Sequence, residues 1–214
     1  MLFNLSSKDS IANRFLAELR NIDIQTDRPR FRRNMERIGE VLAYEISQTL
    51  EYRSEKIETP LGISSTMLPT QRIILATILR AGLPLHQGLL NYFDTADNVF
   101  IAAYRKQHKD GSFEIQLDYV SAPNIDDCVL ILADPMLATG ASINLALKEL
   151  LRFGTPKMVH VATVIASTAG VESVQRTWPK VRIWAGAVDE ELTAKSYIVP
   201  GLGDAGDLAF GEKM

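Results

Sequence analysis

Five short runs of apolar and β-branched residues constrain the fold of this chain more than any other feature. The runs are RIILATIL (72–79), NVFIAAY (98–104), CVLILAD (128–134), MVHVATVI (158–165) and VRIWAGAV (181–188). Strands that are continuously apolar are typical of a sheet buried on both faces, and such sheets are mostly parallel. Helical patterns separate several of the runs, and one of them, from Ile143 to Leu150, is ended by Gly154 and Pro156. The sequence therefore predicts an α/β fold with a doubly wound, mainly parallel sheet and helices on both faces.

Two segments depart from this alternation. Apolar residues with helical spacing between Ile38 and Leu50 predict an amphipathic helix. Residues 104–122 contain KDGSFEIQLDYV, a polar stretch with Asp110-Gly111 as its turn, and they predict a β-hairpin that leaves the sheet. Excursions of this kind often serve as flaps over a binding site.

Composition and charge argue against several classes of protein. The chain has 214 residues and a net charge of −3, which gives no long-range attraction for nucleic acid. No apolar run approaches the ~20 residues of a membrane helix, and the amino terminus lacks the basic and apolar regions of a signal peptide. Cys128 is the only cysteine, which fits a reducing compartment. We therefore expect a soluble, cytoplasmic protein that binds neither nucleic acid nor a membrane.

A basic cluster precedes the predicted helix and contains Arg28, Arg30, Arg32, Arg33 and Arg37. Such a cluster could bind phosphate or a nucleic acid. More often a run of this kind is the solvated start of a helix or part of a subunit contact, and the acidic total favours that interpretation.

The stretch VLILADPMLATGAS (129–142) has the pattern of a strand, a short loop and a helix start. Ligands of open parallel sheets bind where strands end and helices begin, and the unpaired amides of a helix start favour an anion. A phosphate would be held by the hydroxyls of Thr139 and Ser142 and the backbone of Gly140, while Asp134 could accept hydrogen bonds from hydroxyl groups. The loop matches neither G-x-x-x-x-G-K-[ST] nor G-x-G-x-x-G. From these residues alone, a helix-capping aspartate in an ordinary turn is an equally good interpretation.

A second unusual stretch, PGLGDAGD (200–207), places three glycines and two aspartates near the carboxyl end. Glycine costs more entropy to order than any other residue, and chain ends usually fray. A simple turn needs one or two glycines, so this concentration indicates a more demanding role.

These motifs together resemble the type I phosphoribosyltransferases, and the uracil phosphoribosyltransferase branch in particular. D-P-M-L-A-T-G-x-S resembles the ribose-phosphate loop of the superfamily, and Pro135 stands where most members outside the uracil branch carry a second acid. ILRAGL (78–83) is similar to the pyrophosphate loop, YRK (104–106) to the start of the flap, and YIVPGLGDAGD (197–207) to the base-binding segment. The resemblance covers about residues 30–214 in matching order and departs at 82–88, in the flap and at 1–27.

The resemblance implies a reaction and a set of site residues. The reaction transfers the phosphoribosyl group of 5-phospho-α-D-ribose 1-diphosphate to N1 of uracil, giving UMP and diphosphate, a step of pyrimidine salvage. Asp134 and Arg105 would act in catalysis. Asp134 would hold the ribose and stabilise the positive charge that develops on it. Arg105, together with Arg80, would bind the leaving diphosphate. The other residues that it implies for donor binding are Pro135, Met136, Leu137, Ala138, Thr139, Gly140, Ala141, Ser142 and Asp204. Those that it implies for uracil are Ile198, Gly203, Asp204 and Ala205, in a segment whose small residues let main-chain groups approach the edge of the base.

Magnesium is the expected cofactor. It should arrive with the donor and be bound mainly by donor oxygens, because Mg²⁺ seldom needs an all-protein cage. His86, His108 and His160 lack the spacing of metal ligands, so we expect them to be structural or exposed, and we expect no metal site built from protein side chains.

The resemblance also implies how the chain is organised. We expect one phosphoribosyltransferase domain over residues 1–214, with an N-terminal arm at 1–30, the flap at 104–122 and the base-binding segment at 196–210. The assembly implied is a homodimer or a homotetramer.

Two alternatives stay open. One is a phosphoribosyltransferase for another base, although a purine enzyme should carry the paired acids that Pro135 interrupts, and orotate needs a cation that 197–207 does not offer. The other is an RNA-binding pyrimidine regulator of the same fold, which would use the arginine cluster as a basic face. A fused uridine kinase is excluded by the length of the chain and the missing Walker loop.

Overall fold

The predicted alternation of strands and helices is present along the chain. The computed structural model describes residues 1–107 and 113–212, and its side chains outside 103–117. The helices are α1 (Ile11–Arg20), α2 (Arg28–Ser47), α3 (Leu83–Leu90), α4 (Ala141–Leu150), α5 (Thr168–Thr177) and α6 (Ala205–Phe210). The strands are β1 (Leu2–Asn4), β2 (Tyr52–Thr59), β3 (Gly62–Pro69), β4 (Ile73–Leu79), β5 (Asp97–Gln107), β6 (Phe113–Ser121), β7 (Val129–Ala133), β8 (Met136–Leu137), β9 (Met158–Ser167), β10 (Arg182–Asp189), β11 (Glu191–Leu192) and β12 (Ile198–Val199).

The central sheet has eight strands in the order β1-β10-β9-β7-β4-β5-β6, and β8 continues the line of β7 along β9. Its pairings are parallel except for β5 with β6, which is antiparallel. The prediction of a doubly wound, mainly parallel sheet is therefore confirmed.

Each face of the sheet carries a hydrophobic core, as the continuously apolar runs predicted. In β7, Val129 and Ile131 join one core, and Leu130 and Leu132 join the other. The first core contains side chains of α1, α2, α3 and α6, and the second contains those of α4 and α5. Because successive side chains of a strand point to opposite faces, a strand between two cores has no solvated side.

Helix α2 begins ten residues before the predicted start, at Arg28, and ends at Ser47. The Asp27 carboxylate caps it by accepting the N–H of Arg30 at 3.1 Å, and Pro29 occupies the first turn. The arginine cluster is therefore part of a helix and not an extended basic segment.

Four arginines of this cluster contact other groups of the chain. Their contacts are Arg30 to Glu18 at 2.8 Å, Arg32 to the Ala209 carbonyl at 2.7 Å, Arg33 to Glu36 at 2.7 Å and Arg37 to Asn34 at 3.0 Å. Because these four cations bind groups within the chain, the cluster offers less unpaired positive charge than the RNA-binding alternative requires of a basic face.

The predicted hairpin at 104–122 is formed by β5 and β6, whose antiparallel register runs from Phe100 opposite Ser121 to Gln107 opposite Phe113. The proposed turn at Asp110-Gly111 and His108 lie outside the described residues. A second hairpin, β2–β3, was missed by the sequence analysis and forms a separate two-stranded sheet.

The first residues of the chain belong to the central sheet. β1 lies parallel to β10, with Leu2 opposite Ile183, and α1 packs on the core beside α2. Among the described residues, no helix is long and apolar enough to cross a bilayer.

Candidate active site

The candidate site lies where β4 and β7 end side by side. These strands are parallel neighbours, with Thr77 opposite Ala133, so Arg80 and Asp134 follow two adjacent strand ends. The Asp134 side chain is buried, with 9% of the residue exposed, and its Oδ1 accepts the N–H of Met136 at 3.5 Å. The predicted carboxylate at the strand tip is therefore where the sequence analysis expected it.

The loop after β7 turns back onto β9 before it enters α4. The Pro135 carbonyl accepts the N–H groups of Val164 and Ile165 at 3.1 and 3.0 Å. Ser167 Oγ donates to the Ala138 carbonyl, and the same oxygen accepts the N–H of Gly170 at 2.9 Å. These bonds fix the path of residues 135–138 on a rigid strand, and Ser167 is a supporting residue that sequence reasoning missed because it lies on β9.

The helix start at Gly140 has the backbone geometry of an anion site. Gly140 precedes α4 with φ of 80°, a left-handed conformation that side chains other than glycine rarely adopt. The N–H of Ala141 is directed to Thr139 Oγ1 at 3.4 Å, and the other first-turn amides of α4 have no carbonyl of the same helix to bind. Thr139, Gly140, Ala141 and Ser142 are thus brought to one helix amino terminus, as predicted for a phosphate site.

The predicted pyrophosphate loop packs against the end of β7. At Gly82, a Cβ atom would collide with Thr77 Oγ1, lie 2.6 Å from the Ile78 carbonyl oxygen and lie 3.2 Å from that of Ala133. This close approach explains the glycine of ILRAGL, because a larger residue would push the loop away from the strand that carries Asp134.

Arg80 connects this loop to the carboxyl-terminal segment. Its Nη2 lies 3.4 Å from Asp207 Oδ1 and donates to the Gly211 carbonyl at 3.2 Å, with 41% of the side chain exposed. Asp207, to which the sequence analysis assigned no role, is therefore an ion-pair partner of Arg80. That pairing spans 127 positions and gives no local signal in the sequence.

The predicted base-binding segment lies beside the pyrophosphate loop. Asp204 caps α6, and its Oδ1 accepts the N–H groups of Gly206 and Asp207 at 2.9 and 3.1 Å. Ile198 and Ala205 are buried, and a Cβ atom on Gly206 would lie 3.9 Å from Ala81 Cβ. The segment is thus ordered by packing and capping, and its Gly206 faces the loop that carries Arg80.

The structure describes the side chains of most predicted site residues, but not that of Arg105. The backbone of Arg105 pairs with Ile115 in the β5–β6 hairpin, and its side chain lies outside the described residues. Its position relative to Asp134 therefore stays a prediction.

The buried titratable groups with altered pKa values belong mainly to the cores. Burial lowers the pKa of His86, and it lowers that of His160 to about 4. Burial also raises the pKa of the Cys128 thiol to about 11. In the part of the chain that the structure describes, no group of three or more His, Cys, Asp or Glu side chains could hold a metal ion.

Comparison with known proteins gives one consistent result. The family model described as uracil phosphoribosyltransferase matches residues 6–212. A uracil phosphoribosyltransferase of Porphyromonas gingivalis is 50% identical over 214 residues, covering 100% of this chain and 99% of that protein. One from Pyrococcus furiosus is 38% identical over 203 residues, covering 93% and 85%. A solved structure of a protein from Aquifex aeolicus superimposes with a TM-score of 0.88 at 28% identity, covering 99% of this chain and 98% of that one.

Proposed function

Because this chain belongs to the uracil phosphoribosyltransferase family, as its motifs predicted, we propose that it transfers phosphoribosyl from 5-phospho-α-D-ribose 1-diphosphate to N1 of uracil. The products are UMP and diphosphate, and the reaction serves pyrimidine salvage. The observation that carries the proposal is that three segments lie together: the loop after β4, the loop after β7 and the base-binding segment. Gly82 packs on the end of β7, which carries Asp134, and Gly206 of the base-binding segment faces Ala81.

The loop from Met136 to Ser142 holds the 5′-phosphate of the donor. The left-handed Gly140 turns the chain so that the first amides of α4 point away from the helix, and the macrodipole of α4 favours an anion there. The hydroxyls of Thr139 and Ser142 supply further donors. Pro135 contributes through its backbone, whose carbonyl already binds β9.

Asp134 binds the ribose. Its carboxylate accepts hydrogen bonds from the sugar hydroxyls and stabilises the positive charge that develops on the ribose as the bond to diphosphate breaks. A carboxylate held on a strand end in a largely buried position is already oriented, so it need not reorganise during the reaction.

The leaving diphosphate takes up negative charge, and cations bind it. Arg80 lies on the loop after β4, and Arg105 lies on the β5 arm of the hairpin. A guanidinium group can bind two phosphate oxygens at once, which suits both residues to this role. Asp204 contacts the donor from the base-binding segment.

A magnesium ion bound to the oxygens of the donor would neutralise charge on the diphosphate. The available protein ligands are few, because the acids of the site, Asp134 and Asp204, come from separate loops and one of them caps α6. This donor set fits an ion that is bound mostly by substrate oxygens.

Uracil is bound by the backbone around Ile198, Gly203, Asp204 and Ala205. The base carries two carbonyl acceptors with an N–H between them, so main-chain donors and acceptors can match its edge. The positive φ of Gly203, 94°, turns the chain at this place without a side chain in the way.

The hairpin of β5 and β6 closes over the bound donor and excludes water, which would otherwise hydrolyse it. In this proposal residues 1–214 form one domain, with the arm at 1–30, the flap at 104–122 and the base-binding segment at 196–210. The reaction takes place in the cytoplasm, a location that fits the single, buried cysteine with its raised pKa.

The chain acts as a homodimer or a homotetramer, and the β2–β3 hairpin forms part of the contact between copies. This hairpin stands apart from the central sheet, with Ile63 73% exposed, Met67 57% exposed and Leu61 99% exposed at its turn. An isolated two-stranded hairpin is marginally stable in water, and exposed apolar patches of this kind mark protein contacts. Light scattering should give an oligomer for the wild type and a smaller species for Ile63→Glu combined with Met67→Glu. A monomeric wild type would contradict this assembly.

A base panel tests the proposed activity. The protein is incubated with the donor, Mg²⁺ and one of uracil, cytosine, orotate, hypoxanthine or guanine, and diphosphate release and the nucleotide product are measured. Uracil should give UMP at a rate that exceeds that of every other base, and the activity should be lost when the metal is chelated. Release with a purine or orotate but not with uracil would assign the chain to a different base.

A further inference from the structure

Both backbone groups of Gly201 are held by side chains from distant parts of the chain. Arg20, the last residue of α1, donates from Nη1 to the Gly201 carbonyl at 2.9 Å. Asp189, the last residue of β10, accepts the Gly201 N–H at Oδ2 at 2.9 Å. The two side chains also bind each other, Nη1 to Oδ2 at 2.7 Å and Nη2 to Oδ1 at 2.8 Å. Three residues thus form a closed arrangement of four hydrogen bonds, which we name the Gly201 clamp.

The clamp is largely shielded from water. Asp189 is buried, the Arg20 side chain is 23% exposed, and Gly201 is buried as well. Bidentate bonds between a guanidinium group and a carboxylate are stronger and more directional than those of neutral groups, and shielding reduces their screening by salt. The backbone at Gly201 is also unusual, because φ is 56° and a Cβ atom would collide with the Ile198 carbonyl oxygen.

The position of the clamp in the chain connects it to the base. Gly201 lies between Ile198 and Gly203, two residues that the proposed function places at uracil. The clamp fixes the peptide units on both sides of Gly201, so it determines the direction in which the chain leaves β12 and where the amides near Gly203 lie. The proposed function assigns no substrate contact to Arg20 or to Asp189.

We propose that Arg20 and Asp189 are positioning residues that set the affinity of the site for uracil by holding Gly201. The inference rests on the proposed function, since it requires that the segment after β12 binds the base. Loss of the clamp should weaken uracil binding, and the size we expect is the about 10- to 100-fold that is typical when a hydrogen bond behind a metal ligand is removed. Donor binding should change less, because Asp204 is the single donor contact that the proposed function places in this segment, and the phosphate loop is held separately by Ser167 and β9.

Two substitutions of Arg20 separate positioning from folding. Arg20→Met removes all three bonds that the side chain makes. Arg20→Lys keeps a cation beside the buried Asp189 carboxylate but lacks the planar fork needed to bind a carboxylate and a carbonyl together. The lysine variant should therefore fold even if the methionine variant does not, and its Michaelis constant for uracil should still rise.

Arg72 offers a control at the amino ends of β4 and β5, in a more exposed ion pair, with 46% of the Arg72 and 49% of the Asp97 side chain exposed. Its Nε and Nη2 bind Asp97 Oδ2 at 2.9 and 2.6 Å, and its Nη1 donates to the Asn124 carbonyl at 2.9 Å. This side chain also joins a carboxylate to a backbone carbonyl, but it precedes β4, whereas the proposed site follows that strand. Arg72→Lys and Arg72→Met therefore report the cost of losing such an arrangement away from the site.

The experiment is steady-state kinetics with both substrates varied, for the wild type and the four variants, together with hydrogen exchange of residues 198–206. We expect the KM for uracil to rise about 10- to 100-fold in the Arg20 variants while the KM for the donor changes by less than about threefold. Exchange in that segment should become faster in Arg20→Lys, and neither effect should occur in the Arg72 variants.

Three results would overturn the inference. One is an unchanged KM for uracil in Arg20→Lys, and another is an equal rise in the KM of both substrates. The third is the same change in the Arg72 variants, which would reduce the clamp to a structural contact. An inactive wild type with uracil would refute the proposed function itself, and the inference with it, so the two failures are distinguishable.

Discussion

His160 should make this protein lose stability between pH 7 and pH 5. It lies on β9 with none of its surface exposed, and its Nδ1 accepts the indole N–H of Trp184 at 2.9 Å. The ring is therefore neutral, with its proton on Nε2, and Nε2 has no hydrogen-bond partner among the described residues. Burial lowers the pKa of His160 from 6.5 to about 4, with the positive charge of Arg182 as a second cause.

The sign of the effect follows from the protons bound in each state. Between pH 6.5 and about 4 the unfolded chain carries a proton on this residue and the native protein does not, so the free energy of unfolding falls as the pH falls. Each pH unit within that window contributes about 1.4 kcal/mol, so the whole window amounts to about 3 kcal/mol. Between pH 7 and pH 5 the loss from His160 should be about 2 kcal/mol.

The assay compares urea unfolding of the wild type and His160→Gln at pH 7 and pH 5, at one protein concentration. Glutamine can still accept the Trp184 N–H but does not titrate, so the variant should lose about 2 kcal/mol less than the wild type. His86→Gln is the comparison variant: burial also lowers the pKa of His86, so this change removes a second contribution of the same sign but leaves that of His160 in place. Glu18 does not affect the comparison between pH 7 and pH 5. The hydrogen bond from Arg30 lowers the pKa of Glu18 to about 2, so its contribution to the free energy of unfolding is lost only as the pH falls below 4.5. Equal losses in the wild type and His160→Gln would refute the reasoning.

Four further predictions concern the proposed site. Asp134→Asn should lower kcat about 100-fold with little change in the free energy of unfolding, and turnover near that of the wild type would remove Asp134 from the mechanism. Amide exchange in the hairpin from Arg105 to Ser121 should slow when donor and Mg²⁺ are added, and unchanged protection at saturation would contradict a closing flap. Uracil should be preferred over cytosine by about 10²- to 10⁴-fold in kcat/KM, because two edge positions of cytosine would face like groups, and 5-fluorouracil should remain a substrate. Gly203→Val should impair uracil use more than donor binding, whereas Gly62→Val, also at positive φ but at the first residue of β3, should affect neither.

The sequence predicts the central sheet well because its strands lie between two cores. A run such as CVLILA (128–133) is apolar at every position, so the pattern is visible without knowledge of its neighbours. The loops proposed to bind phosphate and pyrophosphate could be singled out in the sequence for a related reason. Their glycines, Gly140 and Gly82, meet local demands of backbone angle and close approach that leave a short, recognisable motif.

The β2–β3 hairpin was not predictable in the same way. Its strands YRSEKIET and GISSTMLP are exposed on both faces for nearly their whole length, so they carry neither an apolar run nor an apolar–polar alternation. The early start of α2 did have a signal. Asp27 followed by an arginine and Pro29 is a typical helix amino terminus, but the charged residues after it obscured the apolar period.

The order of the carboxyl-terminal segment could not be predicted from its own residues, because the groups that hold it lie elsewhere in the chain. Three arginines from α1, α2 and the pyrophosphate loop donate to its carbonyls, namely Arg20 to Gly201, Arg32 to Ala209 and Arg80 to Gly211. The first two bonds are 2.9 and 2.7 Å long, and the third is 3.2 Å. The bond from Arg80 is therefore the weakest of the three. If Arg80 turns from Gly211 to bind the diphosphate, the segment loses less stabilisation than it would lose with either of the other two bonds. In the proposed reaction, the glycine-rich stretch near the chain end would thus stay ordered while Arg80, one of its supports, binds the diphosphate.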